Sequence, residues 1–333
     1  MSVGGATAFA RALERARSTS SRYGTTVLRT YAIVAALVIV VAWVSIQEPS
    51  FLSRQNIFNI SSEWSAAGIM AVGVTFVILV GGLDLSFAAT FSLCAILAAY
   101  VGRSHAPILA FAASVGLGLG IGLFNGILVT VAQINSFIAT LGMSFALTSV
   151  AQILTSNVPY VVEREDFLAF GTGTWHTIPY TGITLVCFFL VGGLILSRTV
   201  YGQLIYAVGG NPEASRLGGV RVRTVVASAF VISGLCAGVA GCISASQLGS
   251  AQGNIDPDVL FNVITMVILG GTSLAGGFGG MWRTAVGLAI IASIANAFNL
   301  LNVDPHYQDI AKGAILIGAL ALDSMARRLA KES

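Results

Sequence analysis

Asp84 is the only Asp, Glu, Lys or Arg between Glu63 and Arg103. It stands in the hexapeptide Gly81-Gly82-Leu83-Asp84-Leu85-Ser86, behind two glycines and two residues before a hydroxyl. An ionisable group in apolar surroundings is costly and marks a functional candidate by default. Two kinds of chemistry suit it. A carboxylate accepts hydrogen bonds from the hydroxyls of a polyol. It also accepts backbone N–H groups at a helix N-terminus, and Asp84 or Ser86 lies where a helix over 87–101 needs a cap. Three amides in or beside apolar runs, Asn125, Asn262 and Asn296, both donate to and accept from hydroxyls. The candidates for ligand contact are therefore Asp84, Ser86, Asn125, Asn262 and Asn296. Each amide also has a plainer use: Asn125 and Asn296 can bond across helices, and Asn262 can cap its own.

The elements that must position these groups are apolar. The chain of 333 residues is 56% hydrophobic and 9% charged, against about 25% charged in a soluble domain. Its mean hydropathy is +0.86. Apolar runs fall near 30–46, 64–81, 87–101, 107–131, 136–154, 180–196, 224–247, 259–273, 285–301 and 309–322. They are continuous and do not alternate with period two, which excludes a β-barrel. The expected fold is an all-α polytopic membrane protein of about ten transmembrane helices. It divides into a basic leader (1–29), a transmembrane domain (30–322) holding a long loop (197–223), and a tail (323–333).

Charge orients this arrangement. Arg11, Arg15, Arg17, Arg22 and Arg29 precede the first run; Arg198, Arg216, Arg221 and Arg223 lie in the long loop; Arg327, Arg328 and Lys331 close the chain. Ten spans put all three segments on one side, which the positive-inside rule makes cytoplasmic. The opposite side carries Glu48, Glu63, Glu163, Glu165, Asp166, Asp256, Asp258 and Asp304. The first run ends without a small-x-small cleavage site, so it is read as a retained anchor. Both termini are expected in the cytoplasm.

Two glycine pairs interrupt apolar strings that resemble each other, TFVILVGGLDLS (75–86) and TMVILGGTSLAGG (265–277). Gly81, Gly82, Gly270 and Gly271 are the expected helix breaks. Val115-Gly116-Leu117 with Asn125 matches Val286-Gly287-Leu288 with Asn296 at one offset, and Gly142 meets Gly313 at the same offset. Glycine-rich apolar helices also match by chance. Copies five helices apart would be inverted repeats with broken helices at their interface. Gly118, Gly122 and Gly126, spaced by four, suit close helix packing.

Several functions are excluded by what is missing. The sequence has no GxSxG, no HExxH and no GxxxxGK[ST] phosphate loop. The acids of EREDF (163–167) look like a surface segment, and GGFGG (276–280) adjoins an apolar span rather than a strand-to-helix turn. His105, His176 and His306 are scattered, and Cys94, Cys187, Cys236 and Cys242 lie in apolar runs without metal-ligand spacing. No basic surface with interleaved aromatics points to nucleic acid. No metal or cofactor is therefore expected in this chain, and no enzymatic role.

The long loop holds YGQLIYAVGGNPEASRLGGVRVR (201–223). Asn211 can cap a helix, Pro212 suits its first position, and Glu213 complements its dipole. Gly218-Gly219 then ends it after about two turns. A short capped helix in a basic loop is either a docking element for a soluble partner or an ordinary linker.

Glu213-Ala214-Ser215, separated from Gly219 by three residues, resembles the Glu-Ala-Ala…Gly coupling loop of ABC-transporter membrane subunits, with Ser215 for the second Ala. GGLDLS (81–86), SFIATLGM (136–143), YGQLIYAVGGNPEASRLGGV (201–220), SGLCAGVAG (233–241), ILGGTSLAGGFG (268–279) and NAFNLLNV (296–303) together resemble the ribose-type sugar ABC importer permeases over roughly 55–322. Two departures surround the second break: DVLFNVITM (258–266) places Asn262 where that family usually has Asp, and Met281-Trp282-Arg283-Thr284 replaces a small, Gly-containing step.

The resemblance implies a permease of the bacterial cytoplasmic membrane for a monosaccharide or polyol. An ABC ATPase subunit that binds the ATP and Mg would dock on Asn211, Pro212, Glu213, Ala214, Ser215, Arg216 and Gly219. A periplasmic or extracellular substrate-binding protein would deliver the ligand. A second copy or a homologous permease would complete a homodimer or heterodimer. The alternatives are a branched-chain amino-acid ABC permease and an ion-coupled secondary transporter.

Overall fold

The computed structural model describes residues 33–254, 257–304, 306–314, 317, 318 and 321. The leader (1–29), the tail (323–333) and Asp256 lie outside these residues. The helices are α1 (Ile33–Gln47), α2 (Arg54–Glu63), α3 (Ser65–Leu79), α4 (Phe87–Gly102), α5 (Pro107–Thr130), α6 (Ser136–Thr155), α7 (Glu165–Thr172), α8 (Tyr180–Arg198), α9 (Val200–Gly210), α10 (Pro212–Leu217), α11 (Val222–Leu248), α12 (Pro257–Leu269) and α13 (Met281–Leu300). Residues 306–314 are also helical. Strand β1 (Tyr160–Val161) pairs antiparallel with β4 (Ser250–Ala251), and β2 (Thr174–Trp175) with β3 (Ile178–Pro179).

The helices sort by burial. Along α3 nearly every side chain is buried, from Gly68 through Leu79. A helix apolar all round must be surrounded, and α11, α12, α8 and α13 enclose it. The 27-residue α11 is about 40 Å long. Its middle is buried from Cys236 to Ile243. By contrast α5, α6 and α8 show Phe124, Phe145, Ile153, Leu190 and Leu194 on their outer sides, as lipid-facing helices do.

Close packing of α5 on α11 follows from the small residues on both. Gly118 abuts Gly234, Gly122 abuts Phe230, and Gly126 abuts Ala227, all through backbone atoms. A β-carbon at Gly118 or Gly122 has no room beside those carbonyls.

Five to six of the ten expected spans are matched by helices long and apolar enough to cross a bilayer. Among the described residues five helices are long and apolar enough to cross a bilayer: α5, α6, α8, α11 and α13. A sixth span forms if α2 and α3, bent by 53°, are taken together. α1, α4 and the apolar part of α12 are shorter. At 15 residues, α3 rises only about 22 Å, less than the roughly 30 Å of hydrocarbon. A hydropathy run continues through a break that the backbone does not cross as helix. Irregular backbone at such depth is tolerated where protein surrounds it, and the partners of residues 81–86 show how.

Candidate functional site

The first break begins as a glycine C-cap. Gly81 adopts φ +81°, its N–H donates to Ile78 O at 2.9 Å, and Gly82 N–H donates to Val77 O at 2.9 Å. This is a Schellman motif, in which the left-handed residue closes the last turn. The second break repeats it. Gly271 has φ +88°, its N–H reaches Ile268 O at 2.8 Å, and Thr272 N–H reaches Val267 O at 3.2 Å. Beyond the breaks the two regions differ: α4 stands between the first break and α5, whereas the second runs through 272–280 directly to α13.

Side chains of α6 and of Asp84 itself satisfy the open backbone at 83–86. Leu83 N–H donates to Ser136 Oγ at 3.1 Å and Leu85 N–H to Thr140 Oγ1 at 3.0 Å. Asp84 is buried and fully engaged. Its Oδ1 accepts from Ser86 N–H at 2.9 Å and Ser86 Oγ at 2.7 Å, and its Oδ2 accepts from Ser233 Oγ on α11 at 2.8 Å. Ser86 occupies the N-cap position of α4, yet its hydroxyl caps no α4 N–H. It donates to Asp84 and accepts from Asn125 Nδ2 at 2.8 Å. Asn125 Oδ1 is buried without a hydrogen-bond partner among the described residues. Ser233 lies eleven residues into α11, about 17 Å along it, so the cluster is level with the middle of that helix.

Three of the five candidates therefore meet, and two lie elsewhere. Asn296 exchanges amide bonds with Asn56 of α2, at 2.8 and 3.1 Å. Asn262 lines a separate cleft of about 260 Å³ with Asp258, Thr265, Ile291, Asp309 and Lys312. There Lys312 Nζ donates to Asp258 at 2.6 Å and to Asp309 at 3.1 Å. Sequence reasoning missed Ser136, Thr140 and Ser233. Ser136 and Thr140 had one usable signal, two hydroxyls spaced by four on an apolar helix. Ser233 had none beyond its place in SGLCAGVAG.

The loop between α8 and α11 folds as two helices, α9 and α10. Asn211 ends α9 and starts α10, so no flexible residue separates them. Its Oδ1 accepts from Ala214 N–H at 2.9 Å, and Pro212 follows at the first turn. Gly219, at φ +84°, closes α10 with bonds from its own N–H to Arg216 O and from Val220 N–H to Ser215 O, each 3.0 Å. Gly218 keeps an ordinary φ of −76°, so the left-handed position belongs to Gly219 alone. Glu213 and Arg216 pair at 2.7 Å on the exposed side. The Arg216 hydrogen bond holds the Glu213 carboxyl below its ordinary range. Only Ser215 of α10 is buried, and Leu217 is 79% exposed. The short helix thus projects an apolar tip flanked by an ion pair.

Similar proteins are known. The ribose import permease protein RbsC of Escherichia coli K12 is 36% identical over 294 residues, covering 87% of this chain and 92% of its own. The ribose import permease protein of Bacillus subtilis is 36% identical over 290 residues, 86% of this chain and 90% of its own. The L-arabinose ABC transporter permease protein AraH of Azospirillum brasilense is 33% identical over 296 residues, 89% and 87%. No solved structure matches. A family model described as "Branched-chain amino acid transport system / permease component" matches residues 56–320, a stretch that takes in both breaks, the buried polar cluster and α10, and the chain belongs to that family.

Proposed function

We propose that this protein is the permease subunit of an ABC importer that moves a monosaccharide or related polyol across the bacterial cytoplasmic membrane. One observation carries the substrate class. Relatives that align over most of both chains include ribose and L-arabinose permeases, so the sugar reading outweighs the amino-acid wording of the family description. The chain is a transport subunit, not an enzyme. A separate ATPase subunit binds ATP and Mg and hydrolyses the ATP, and a substrate-binding protein delivers the sugar outside. A second copy or a homologous permease completes the pore, and both termini face the cytoplasm.

In this reading α10 is the ATPase dock. Closure of the ATPase pushes α10 and shifts the permease between outward- and inward-facing states. A ligand or partner moves such an equilibrium only through contacts that differ between the states. Among the pathway candidates Asn125 has the best support, because its buried Oδ1 awaits a donor and a sugar hydroxyl or a water can supply one. Asp84 and Ser86 hold Asn125 in place. Asn262 contributes a polar side chain to the second cleft, whereas Asn296 is taken up by Asn56.

Co-purification tests the assignment. Expressed with an ABC ATPase subunit and a substrate-binding protein of a sugar importer, the protein brings down the ATPase chain, and cells take up labelled ribose or L-arabinose. Glu213→Ala and Gly219→Leu insert normally and abolish uptake. Normal uptake in both variants overturns the docking role of α10. Uptake that an uncoupler abolishes while ATP stays intact points to an ion-coupled carrier instead.

A further inference from the structure

Residues 272–280, between the second break and α13, touch two other parts of the molecule at once. Gly277 N–H donates to Leu79 O in the last turn of α3 at 2.9 Å. Gly276 lies against Gly81 at the first break, where an added β-carbon would stand 2.8 Å from Gly81 Cα. The same two residues press on the end of α9. Gly276 meets Gly209 O, and a β-carbon at Gly277 would stand 2.7 Å from Gly210 Cα. Gly209 in turn packs on Leu79 O and Gly277 N. Tyr206 Oη, one turn back along α9, donates to Gly279 O at 3.1 Å. The next residue after Gly210 is Asn211, which ends α9 and caps α10.

We infer that Tyr206, Gly209 and Gly277 are positioning residues that join α10 to both helix breaks. The inference rests on α10 being the ATPase dock. Backbone packed on backbone leaves no soft side chain to absorb a displacement, and packed contacts switch between arrangements rather than stretch. A shift of α9 therefore carries Gly276 and Gly277, and with them Gly81 and Leu79. Substitutions at the joint leave docking intact and cut its transmission to the pathway.

The test uses the full chain with its ATPase in lipid nanodiscs. Cys187→Ser removes the exposed thiol, since the other three cysteines are buried, and Leu83→Cys reports on the first break. Maleimide labelling at position 83 is timed without nucleotide and after trapping with Mg-ATP and vanadate. The parent changes rate by about fivefold or more, the lower range of coupling between distinct sites. Gly277→Ala and Tyr206→Phe retain the parental amount of ATPase, yet their rate change falls below about twofold on the same scale. Loss of packing alone would instead lower yield and melting temperature with the change preserved. The inference is overturned if both variants keep the parental change, or if the parent shows none. Should Gly277→Ala fail to fold, Tyr206→Phe decides alone, because it removes one oxygen and leaves the packing. Glu213→Ala separates the two ideas, since it releases the ATPase whereas Tyr206→Phe does not. A parent complex without ATPase overturns the dock itself.

Discussion

The carboxylate of Asp84 receives two hydroxyls and one backbone N–H, and this decides what its replacement should do. Asp84→Ala leaves those buried donors without an acceptor, at a cost of about 1–3 kcal/mol per group. Asp84→Asn keeps one acceptor oxygen and loses less. Thermal unfolding of the purified protein should rank wild type, Asp84→Asn and Asp84→Ala in that order. Well-folded Asp84→Asn protein should retain most uptake, and loss of uptake at full expression would move Asp84 into the pathway. At Asn125 the expectation reverses. Asn125→Ala should reduce uptake more than stability, read as transport rate against melting temperature. The sequence pointed to Asp84 because a charge in an apolar run is rare. It did not point to Ser233, because most hydroxyls in apolar helices bond their own carbonyl four residues back, as Thr75, Thr130, Thr148 and Thr155 do here. Nothing local tells which hydroxyl reaches outward.

Among the elements, the breaks and the close helix pair carry the clearest consequences. Gly81→Ala meets only Ala275 O, at 3.7 Å, so its cost is the left-handed backbone, about 1–2 kcal/mol. Gly271→Ala has the same backbone cost and also meets Ile33 and Arg283, so it should lower the melting temperature further. Gly118→Leu wedges α5 off α11 and should prevent a stable fold. Failure would show as aggregation in gel filtration, since overpacking costs about 1–3 kcal/mol even where a core can yield. The glycine pairs at 81–82 and 270–271 were legible as breaks because polar residues follow them, whereas Gly192-Gly193 continues as helix within the apolar run of α8. An internal repeat does not follow from the shared strings. Both breaks share one bonding pattern, but α4 follows the first whereas the second leads directly through 272–280 to α13.

At the scale of the whole molecule the two exposed charges on α10 predict a pH profile. Glu213 titrates below its ordinary value of 4.5 because Arg216 donates to it. The ion pair is complete above that ordinary value and is lost as pH falls through the lowered one. ATPase retention in pull-downs should therefore stay level from about pH 6 to 8, where an ordinary carboxylate is already ionised. It should weaken only at more acidic pH. A fall in retention across the neutral range would mean that another group governs docking.

Composition and hydropathy alone determine that this is a helical membrane protein, because no soluble fold hides so much apolar surface with so little charge. The strings around 81–86, 201–220 and 268–279 determine its family, and the capping residues Asn211 and Gly219 determine a short helix, because caps act over four or five neighbouring residues. How the apolar runs break was visible only in three dimensions, because a buried helix can stop short when other helices satisfy its open backbone. So was the meeting of Asp84, Ser86 and Asn125 with Ser233 while Asn296 turned to Asn56. Contacts between residues so far apart in the chain depend on how helices cross, and that depends on the whole packed bundle rather than on any local run of residues.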